Sequence, residues 1–305
     1  MSNSQPTRNG RARRKITAAA FAAAVFAGIF PAFPAHAQDA AEIARGKYLT
    51  TAGGCANCHT DAKNNGAPFA GGVTLKTPFG TFYGPNITAD REHGIGAWSD
   101  QDFIRALREG VAPDGRQLFP AFPYTSFTNI TDADLRAIKA YLFSLPAVAA
   151  PSRAHELKWP FRNRALVEVW KILYFKAGPF VPDPKMTAQQ NRGAYLVRAL
   201  GHCGECHTPR DAFGGFFRDK ELAGTRSPNG DVAPNITTDP TTGIGKWSEP
   251  EIIDALTLGL SPDGDTLARS MAEVVENVTS KLTKEDVAAV AAYLKAIPPV
   301  KHRPR

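Results

Sequence analysis

All four cysteines of this 305-residue chain stand in two copies of one pattern, Cys-x-x-Cys-His. The copies consist of Cys55, Cys58 and His59, and of Cys203, Cys206 and His207. Two residues between the thiols allow both sulfurs to reach the two vinyl groups on one edge of a haem, and the adjacent histidine presents its imidazole to the iron. The pattern therefore predicts two covalently bound haem c groups, with His59 and His207 as iron ligands.

Other uses of paired cysteines fit this pattern less well. Disulfides are common in exported proteins, but they do not explain a histidine after both pairs. A four-cysteine zinc site usually joins its two knuckles by a short gap, whereas these two pairs are far apart and both histidines would be unused. A thioredoxin-like redox motif would need a surrounding βαβ unit, which the sequence does not show.

The N-terminus has the order of a secretory signal peptide. A basic segment that ends at Lys15 precedes an apolar run over residues 16–33, and Ala35-His36-Ala37 follows as a small-x-small cleavage pattern. The apolar run is shorter than the ~20 residues of a membrane-spanning helix, and prolines break its end. We therefore expect residues 1–37 to be removed and the mature chain to lie in the periplasm.

The net charge of the chain is misleading unless this leader is set aside. The whole chain carries +7, but its first 37 residues hold five basic and no acidic side chains, so the remainder carries +2. A nucleic-acid-binding protein would keep a basic patch after processing, so nucleic acid is not an expected partner. No later stretch is apolar enough to span a bilayer, so we expect no transmembrane segment in the mature chain.

The chain is an internal duplication. The blocks that recur in the same order before and after each frame are Arg45-Gly46-Lys47-Tyr48-Leu49 with Arg192-Gly193-Ala194-Tyr195-Leu196, the two Pro-Asn-Ile-Thr blocks, the two Gly-Ile-Gly-x-Trp-Ser blocks and the two Pro-Asp-Gly turns. A self-match with so long a period predicts two copies of one domain and not a solenoid. We therefore expect a signal peptide at residues 1–37, domains at 38–150 and 188–305, and a linker at 151–187.

Both copies have mostly helical patterns. The helices are predicted over residues 41–51, 100–109 and from Thr131 in the first copy, and over 189–200, 249–258 and from Thr283 in the second. The last helix of each copy opens close to a capping box, carries a tyrosine and leucine stripe that we assign to the core, and is stopped by a proline. A further apolar helix, over residues 164–175, is predicted in the linker. We expect the linker to wrap the two domains together, with a docking surface as its alternative role.

These blocks resemble a known family. They include Asn191-Arg192-Gly193-Ala194-Tyr195-Leu196, Cys206-His207-Thr208-Pro209-Arg210 and Leu118-Phe119-Pro120-Ala121-Phe122-Pro123-Tyr124. With them the chain is similar to class I c-type cytochrome units, as in the cytochrome subunits of membrane-bound bacterial alcohol, gluconate and sorbitol dehydrogenases. The resemblance covers nearly all of residues 41–298. It implies a mostly α fold of two tandem class I cytochrome c domains, and electron transfer from a dehydrogenase towards quinone, an oxidase or a soluble carrier. Such subunits typically carry three haems, whereas this chain ends just after its second unit.

The resemblance also implies a methionine opposite each histidine, and here the two copies differ. Met271, eight residues after Asp263, occupies the position of the axial methionine in the second copy, while the equivalent residue after Asp114 is Phe122. Phenylalanine has no lone pair to offer iron. We therefore expect a five-coordinate or weakly ligated iron at the first haem. Other candidate ligands for that iron are His93, His155, Tyr124 and Met186.

Two functions from different classes remain open at this point. The first is a periplasmic dihaem electron carrier, with a dehydrogenase as redox partner and a downstream electron acceptor, and without catalytic residues of its own. The second is a dihaem enzyme whose open first haem binds a small substrate such as peroxide or a sulfur compound. The missing methionine favours the enzyme, whereas the lack of an obvious acid–base residue beside Phe122 disfavours it. A gas sensor is a third interpretation, but no signalling module is visible.

Overall fold

The computed structural model describes residues 40–226, 231–267 and 270–304. The expected signal peptide, residues 1–37, lies outside the described residues, so its removal and the periplasmic location stay predictions. Among the residues that are described, no helix has the length and apolar character needed to cross a membrane.

The N-terminal repeat, as we call residues 38–150, is built mainly from helices. Its elements are α1 (Ala40–Ala52), α2 (Cys55–His59), β1 (Thr74–Thr77), β2 (Gly80–Tyr83), α3 (Asp100–Glu109), α4 (Tyr124–Phe127) and α5 (Asp132–Ser144). The linker, residues 151–187, adds β3 (Glu156–Leu157) and α6 (Ala165–Tyr174). The strands form a small antiparallel sheet in the order β1-β2-β3, in which Thr81 of β2 pairs with Glu156 of the linker.

The C-terminal repeat, residues 188–305, follows the same order. Its elements are α7 (Ala188–Tyr195), a π-helical turn (Leu196–Leu200), α8 (Gly204–His207), β4 (Thr225–Arg226), β5 (Val232–Ala233), α9 (Glu249–Thr257), α10 (Ser270–Asn277) and α11 (Lys284–Ala296). The mostly helical prediction is therefore confirmed, and the predicted helices fall within a few residues of those observed. The correspondence changes at Leu196, where the helix predicted over 189–200 passes from α7 into the π-helical turn.

The first and last helices of each repeat cross at a glycine. A Cβ atom on Gly46 of α1 would lie 1.8 Å from the carbonyl oxygen of Ala137 in α5, and one on Gly193 of α7 would lie 1.9 Å from that of Ala289 in α11. Both distances are far below van der Waals contact, so only glycine allows this close packing. The identical crossing in both repeats explains why the Arg-Gly-x-Tyr-Leu block is duplicated.

The threonine and aspartate that open α5 and α11 form only half of a capping box. Thr131 Oγ1 accepts a hydrogen bond from Asp134 N at 3.3 Å, and Thr283 Oγ1 accepts one from Asp286 N at 3.2 Å. Neither aspartate side chain returns to the capping residue. Each carboxylate instead accepts a hydrogen bond from a tyrosine of the other repeat.

Buried residues of both repeats form one continuous hydrophobic cluster. Leu49 and Leu135 of the N-terminal repeat belong to it together with Leu200 and Val290 of the C-terminal repeat. The apolar stripe of α5 and its counterpart on α11 are buried, except for the half-buried Tyr141, which packs against the same cluster, and this confirms their assignment to the core. The described part of residues 38–305 is therefore a single packed unit.

The linker helix α6 bridges the two repeats, as expected. Lys171 Nζ donates hydrogen bonds to the carbonyl oxygen of Gly110 at 2.8 Å and to Gln117 Oε1 at 2.6 Å, both in the N-terminal repeat. On the other side, Trp170 Nε1 donates to the carbonyl oxygen of Phe213 at 3.0 Å, in the C-terminal repeat. One helix thus holds both repeats through polar contacts.

Candidate haem-binding sites

Each Cys-x-x-Cys-His pattern lies on one short helical turn, α2 or α8. The residues just before the first cysteine of each frame, Gly54 and His202, both have left-handed backbone, with φ of 60° and 39°. That conformation costs a non-glycine residue free energy, so His202 is strained where its counterpart is a glycine. All four thiols are free: Cys58 and Cys206 are exposed, and Cys55 and Cys203 are half-buried.

The two histidines are held in one orientation by backbone carbonyls. His59 Nδ1 lies 2.7 Å from the carbonyl oxygen of Pro85, and His207 Nδ1 lies 2.7 Å from that of Pro234. A carbonyl only accepts, so each Nδ1 carries the proton and each Nε2 keeps its lone pair. A second-sphere partner of this kind is what fixes an iron-binding histidine. The two prolines belong to the duplicated Pro-Asn-Ile-Thr blocks, and nothing in the sequence pattern indicated their role.

The electrostatic surroundings keep both imidazoles neutral. Burial lowers the pKa of His59 and of His207, and the bond to the proline carbonyl opposes that shift only in part. Burial also raises the pKa of Cys55 and of Cys203 to about 12, so these side chains are neutral thiols at pH 7. A neutral imidazole with a free Nε2 beside two unpaired thiols is the donor set that haem c requires. The residues present therefore fit this group.

The two frames lie close to each other. Desolvation by neighbouring atoms and, after it, a charge on Cys206 raise the pKa of Cys58. Glu205, inside the second frame, accepts hydrogen bonds from Thr125 Oγ1 at 2.6 Å and Ser126 Oγ at 3.1 Å in the N-terminal repeat. The ring of His202 packs edge-on against Phe127 at 5.5 Å between centroids. The second frame is therefore bonded to α4 of the N-terminal repeat.

The backbone supports the equivalence of Phe122 and Met271. Leu118 N donates to the carbonyl oxygen of Gly110 at 2.8 Å, and Leu267 N donates to that of Gly259 at 2.7 Å. Phe122 and Met271 each follow the anchored leucine by four residues. Met271 is half-buried in the first turn of α10, while the Phe122 ring packs in an aromatic group, 5.7 Å from the Phe127 centroid.

The other candidate ligands for the first haem lie in different surroundings. His155 Nδ1 accepts a hydrogen bond from Tyr83 N at 3.2 Å, and its ring packs edge-on against Phe82 and Phe119. Met186 packs against the core in the linker. His93 lies in a turn where its backbone N donates to Asp90 Oδ1 at 2.6 Å. Of these candidates, Tyr124 adjoins Phe122, at 6.3 Å between ring centroids.

Tyr124 carries a buried polar atom without a protein partner. Its side chain is fully buried, and its hydroxyl has no hydrogen-bond partner among the described residues. Burial, together with the nearby Glu205, raises its pKa above the ordinary value, so the hydroxyl stays protonated at neutral pH. An orphan donor of this kind, two residues from Phe122, is able to hydrogen-bond a small molecule bound beside it.

A pair of matching polar clusters joins the two repeats. Tyr195 Oη of the C-terminal repeat donates to Asp134 Oδ2 at 2.6 Å, and Arg45 Nε donates to Asp134 Oδ1 at 2.7 Å. In the mirror arrangement, Tyr48 Oη of the N-terminal repeat donates to Asp286 Oδ2 at 2.5 Å, beside two bonds from Arg192. Each repeat thus supplies the tyrosine for the aspartate of the other. The duplicated Arg-Gly-x-Tyr block was the signal for this contact, although its spacing alone does not say what the tyrosine meets.

Comparison with known proteins identifies the family of the chain. The family model described as "Cytochrome c" matches residues 43–146. A protein named "Diheme cytochrome c-type" from Cereibacter sphaeroides is 40% identical over 264 residues, which cover 85% of this chain and 87% of that protein. The chain therefore belongs to the cytochrome c family. A covalent haem c as cofactor and a role in electron transfer follow from that membership.

Longer relatives are named as components of dehydrogenases. A protein of Pseudomonas putida, named as a subunit of nicotinate dehydrogenase, is 43% identical over 85% of this chain, and the cytochrome c subunit of the quinone alcohol dehydrogenase of Gluconobacter oxydans is 38% identical over 87%. The chain spans only 22% of the first relative and 57% of the second. The resemblance to dehydrogenase cytochrome subunits is confirmed, while the activities of those longer proteins are not carried over.

Proposed function

We propose that this chain is an exported dihaem cytochrome c that carries electrons in the periplasm from a dehydrogenase to a downstream acceptor. The observation that carries the proposal is the repeated histidine geometry. In both frames Nδ1 lies 2.7 Å from a proline carbonyl, which leaves Nε2 available as an iron ligand. In this proposal residues 38–150 and 188–305 are tandem class I cytochrome c domains, each with one haem.

Each side chain of the frames has a distinct part in this function. The cysteine sulfurs form the thioether bonds, and His59 and His207 ligate iron from one side. Haem supplies the one-electron couple between ferric and ferrous iron. Met271 is the proposed second ligand in the C-terminal repeat, and its thioether favours the ferrous state and a higher potential. Phe122 leaves the corresponding position in the N-terminal repeat without a sulfur donor.

The contacts between the frames support transfer between the two haems. Cys58 and Cys206 are near enough for the charge on one to affect the other, and Glu205 bonds the second frame to α4. Redox groups attached to neighbouring frames of one rigid unit keep a fixed separation. The chain is therefore suited to pass electrons from one end to the other without rearrangement.

Haem counting on single-frame variants tests the proposal. The mature wild-type chain is expected to retain two haem masses in denaturing mass spectrometry and to stain for haem in a denaturing gel. Cys55→Ala with Cys58→Ala should remove one haem mass, and Cys203→Ala with Cys206→Ala should remove the other. Zinc in place of haem, or a Cys55–Cys58 disulfide in the exported protein, would refute the assignment.

A dihaem enzyme is the second candidate, and the surroundings of Phe122 favour it. Phe122 lacks a donor atom, and its ring lies 6.3 Å between centroids from that of the buried Tyr124, whose hydroxyl has no partner among the described residues. An open haem there would bind a small molecule such as peroxide or a sulfur compound. A carbon monoxide difference spectrum of the reduced protein separates the two candidates: binding at one of two haems favours the enzyme, and no binding favours the carrier.

A further inference from the structure

The outward face of α6 is unusually apolar for a surface helix. Ile172 is 78% exposed, Leu173 69% and Val169 53%. At 100° per residue these side chains form one stripe with Leu166, which is also exposed. We call these four residues the α6 stripe. Single exposed apolar residues are ordinary, but a continuous stripe marks a contact surface.

The opposite face of α6 already contacts the two repeats. Val167 is buried against Phe82 and Phe119, and Lys171 and Trp170 make the polar contacts that bridge the repeats. The helix therefore carries apolar residues both toward the repeats and on its outward face, with Lys171 and Glu168 between the two on one side. A surface helix normally has one apolar face, packed against its own protein, so the outward apolar face of α6 has the composition of a surface with a partner of its own.

Electrostatics restrict what that partner can be. Residues 157–177 contain five basic side chains and one acidic side chain. Arg164 and Lys171 face inward to bond Gln117, whereas Lys158, Arg162 and Lys176, which flank the stripe in sequence, are exposed, as is the one acid, Glu168. The stripe is thus an apolar surface on a segment with a net positive charge. Its complement is a protein surface with an apolar centre and acidic side chains at its edge.

The position of α6 relates a contact on the stripe to the two proposed haem sites. The loop that accepts the Trp170 bond, Asp211–Gly215, begins four residues after His207, and Gln117 lies five residues before Phe122. A protein docked on the stripe therefore lies beside segments that lead directly to both proposed haem sites. The linker matches neither repeat in sequence, so it is an addition to the haem-carrying units.

We propose that the α6 stripe is the docking surface for the dehydrogenase that donates electrons to this chain. The proposal rests on the function proposed above, since relatives of this chain are named as cytochrome subunits of dehydrogenases. The partner is a folded periplasmic dehydrogenase component with an apolar, acid-rimmed surface. A membrane and a second copy of this chain are the competing occupants.

The test compares two single substitutions in the full-length protein, produced with a C-terminal affinity tag in its native host. Ile172→Glu places an acid in the centre of the stripe. Val181→Glu is the matched control, because Val181 is also a β-branched apolar residue, is also 78% exposed, and lies outside α6. Both sites are on the surface, so circular dichroism and haem content should equal those of the wild type.

The tagged protein is purified together with any dehydrogenase bound to it. Reduction of its haems is then measured after addition of ethanol, D-gluconate, D-fructose or nicotinate. We expect wild type and Val181→Glu to be reduced by at least one substrate, and Ile172→Glu to be reduced at least about tenfold more slowly. Equal rates in all three proteins would overturn the docking surface while leaving the proposed function intact. Reduction of none of them by any substrate would overturn both.

Two further measurements test whether a membrane or a second copy of this chain occupies the stripe instead. If wild type floats with phosphatidylcholine–phosphatidylglycerol vesicles and Ile172→Glu does not, the stripe binds a membrane. If wild type sediments as a dimer and Ile172→Glu as a monomer, the stripe binds a second copy. Either result, with substrate-dependent reduction unchanged, replaces the dehydrogenase as the occupant.

Discussion

Removing the hydroxyl of Tyr195 should measure what the contact between the repeats contributes to stability. The Tyr195 hydroxyl donates to Asp134 Oδ2 at 2.6 Å and accepts a bond from Thr131 N at 3.2 Å. Asp134 and Tyr195 are both buried. Tyr195→Phe keeps the ring and its packing, so the change in unfolding free energy reports the hydrogen bonds alone.

The expected size follows from these contacts. A hydrogen bond to a charged group contributes about 1.5–3 kcal/mol, and leaving the Thr131 amide without its acceptor adds about 1 kcal/mol. We therefore expect Tyr195→Phe to lower the free energy of unfolding by about 2.5–4 kcal/mol. Tyr48→Phe should cost less, about 1–2 kcal/mol, because Tyr48 is only partly buried, so that water can replace the bonds of its hydroxyl to Asp286 and Thr283 N.

Tyr174→Phe serves as the control. Tyr174 also donates to an aspartate, Asp211 Oδ2 at 2.8 Å, but this carboxylate keeps bonds from two backbone N–H groups and lies nearer the surface. Its loss should cost about 0.5–1 kcal/mol. Urea unfolding of the ferric haem-loaded proteins, followed by far-UV circular dichroism, gives all three values. If Tyr195→Phe costs no more than Tyr174→Phe, the contact between the repeats does not stabilise the protein and the reasoning fails.

Four further substitutions test other parts of the structure. Asp286→Asn should destabilise the protein by about 3–5 kcal/mol near neutral pH. Burial opposes the charge of Asp286, but bonds from Arg192 and Tyr48 outweigh it and its pKa lies below the usual range, so the stability present above the unfolded pKa of about 3.9 is lost as pH falls through the folded pKa. Urea titrations at several pH values should therefore show that the difference in unfolding free energy between wild type and Asp286→Asn narrows below about pH 4. A difference that widens there would contradict the assignment. Met271→Ala should lower the potential of one haem and abolish the near-infrared sulfur-to-iron band; a persisting band means that another sulfur is the ligand. Phe122→Met should convert the first haem to a six-coordinate low-spin iron in electron paramagnetic resonance, unless the wild type already shows two low-spin signals. Glu205→Gln should raise the potentials of both haems in a redox titration, because it removes a negative charge bonded to both repeats, whereas the exposed Glu221→Gln should shift neither.

The cofactor, the family and the duplication could be predicted from the sequence. Haem attachment needs two cysteines and a histidine within five consecutive residues, so the whole requirement is visible along the chain. The helices were predictable for a similar reason, because helical periodicity and caps such as the Ser99 box are local. The absence of a methionine at Phe122 was also a matter of position within a duplicated block.

The contacts that complete the sites depend on the tertiary structure. His59 contacts a proline carbonyl 26 positions away, and Tyr195 contacts an aspartate 61 positions away. The sequence alone does not show which proline or which tyrosine makes such a contact. The same applies to Asp134: its spacing from Thr131 is close to that of a capping box, but its carboxylate binds Arg45 and the tyrosine of the other repeat. Side-chain pairing at long range depends on how helices cross, which here is fixed by Gly46 and Gly193.

The linker shows the difference most clearly. Its sequence predicts an apolar helix, and the structure confirms one at Ala165–Tyr174. Apolar residues lie on two opposite faces of that helix, so periodicity alone could not show which of them the protein covers. Only the bonds from Trp170 and Lys171 to the two repeats decide that Val167 is buried and that Ile172 faces outward. Burial is a property of the whole packed chain, whereas hydrophobicity belongs to each residue by itself.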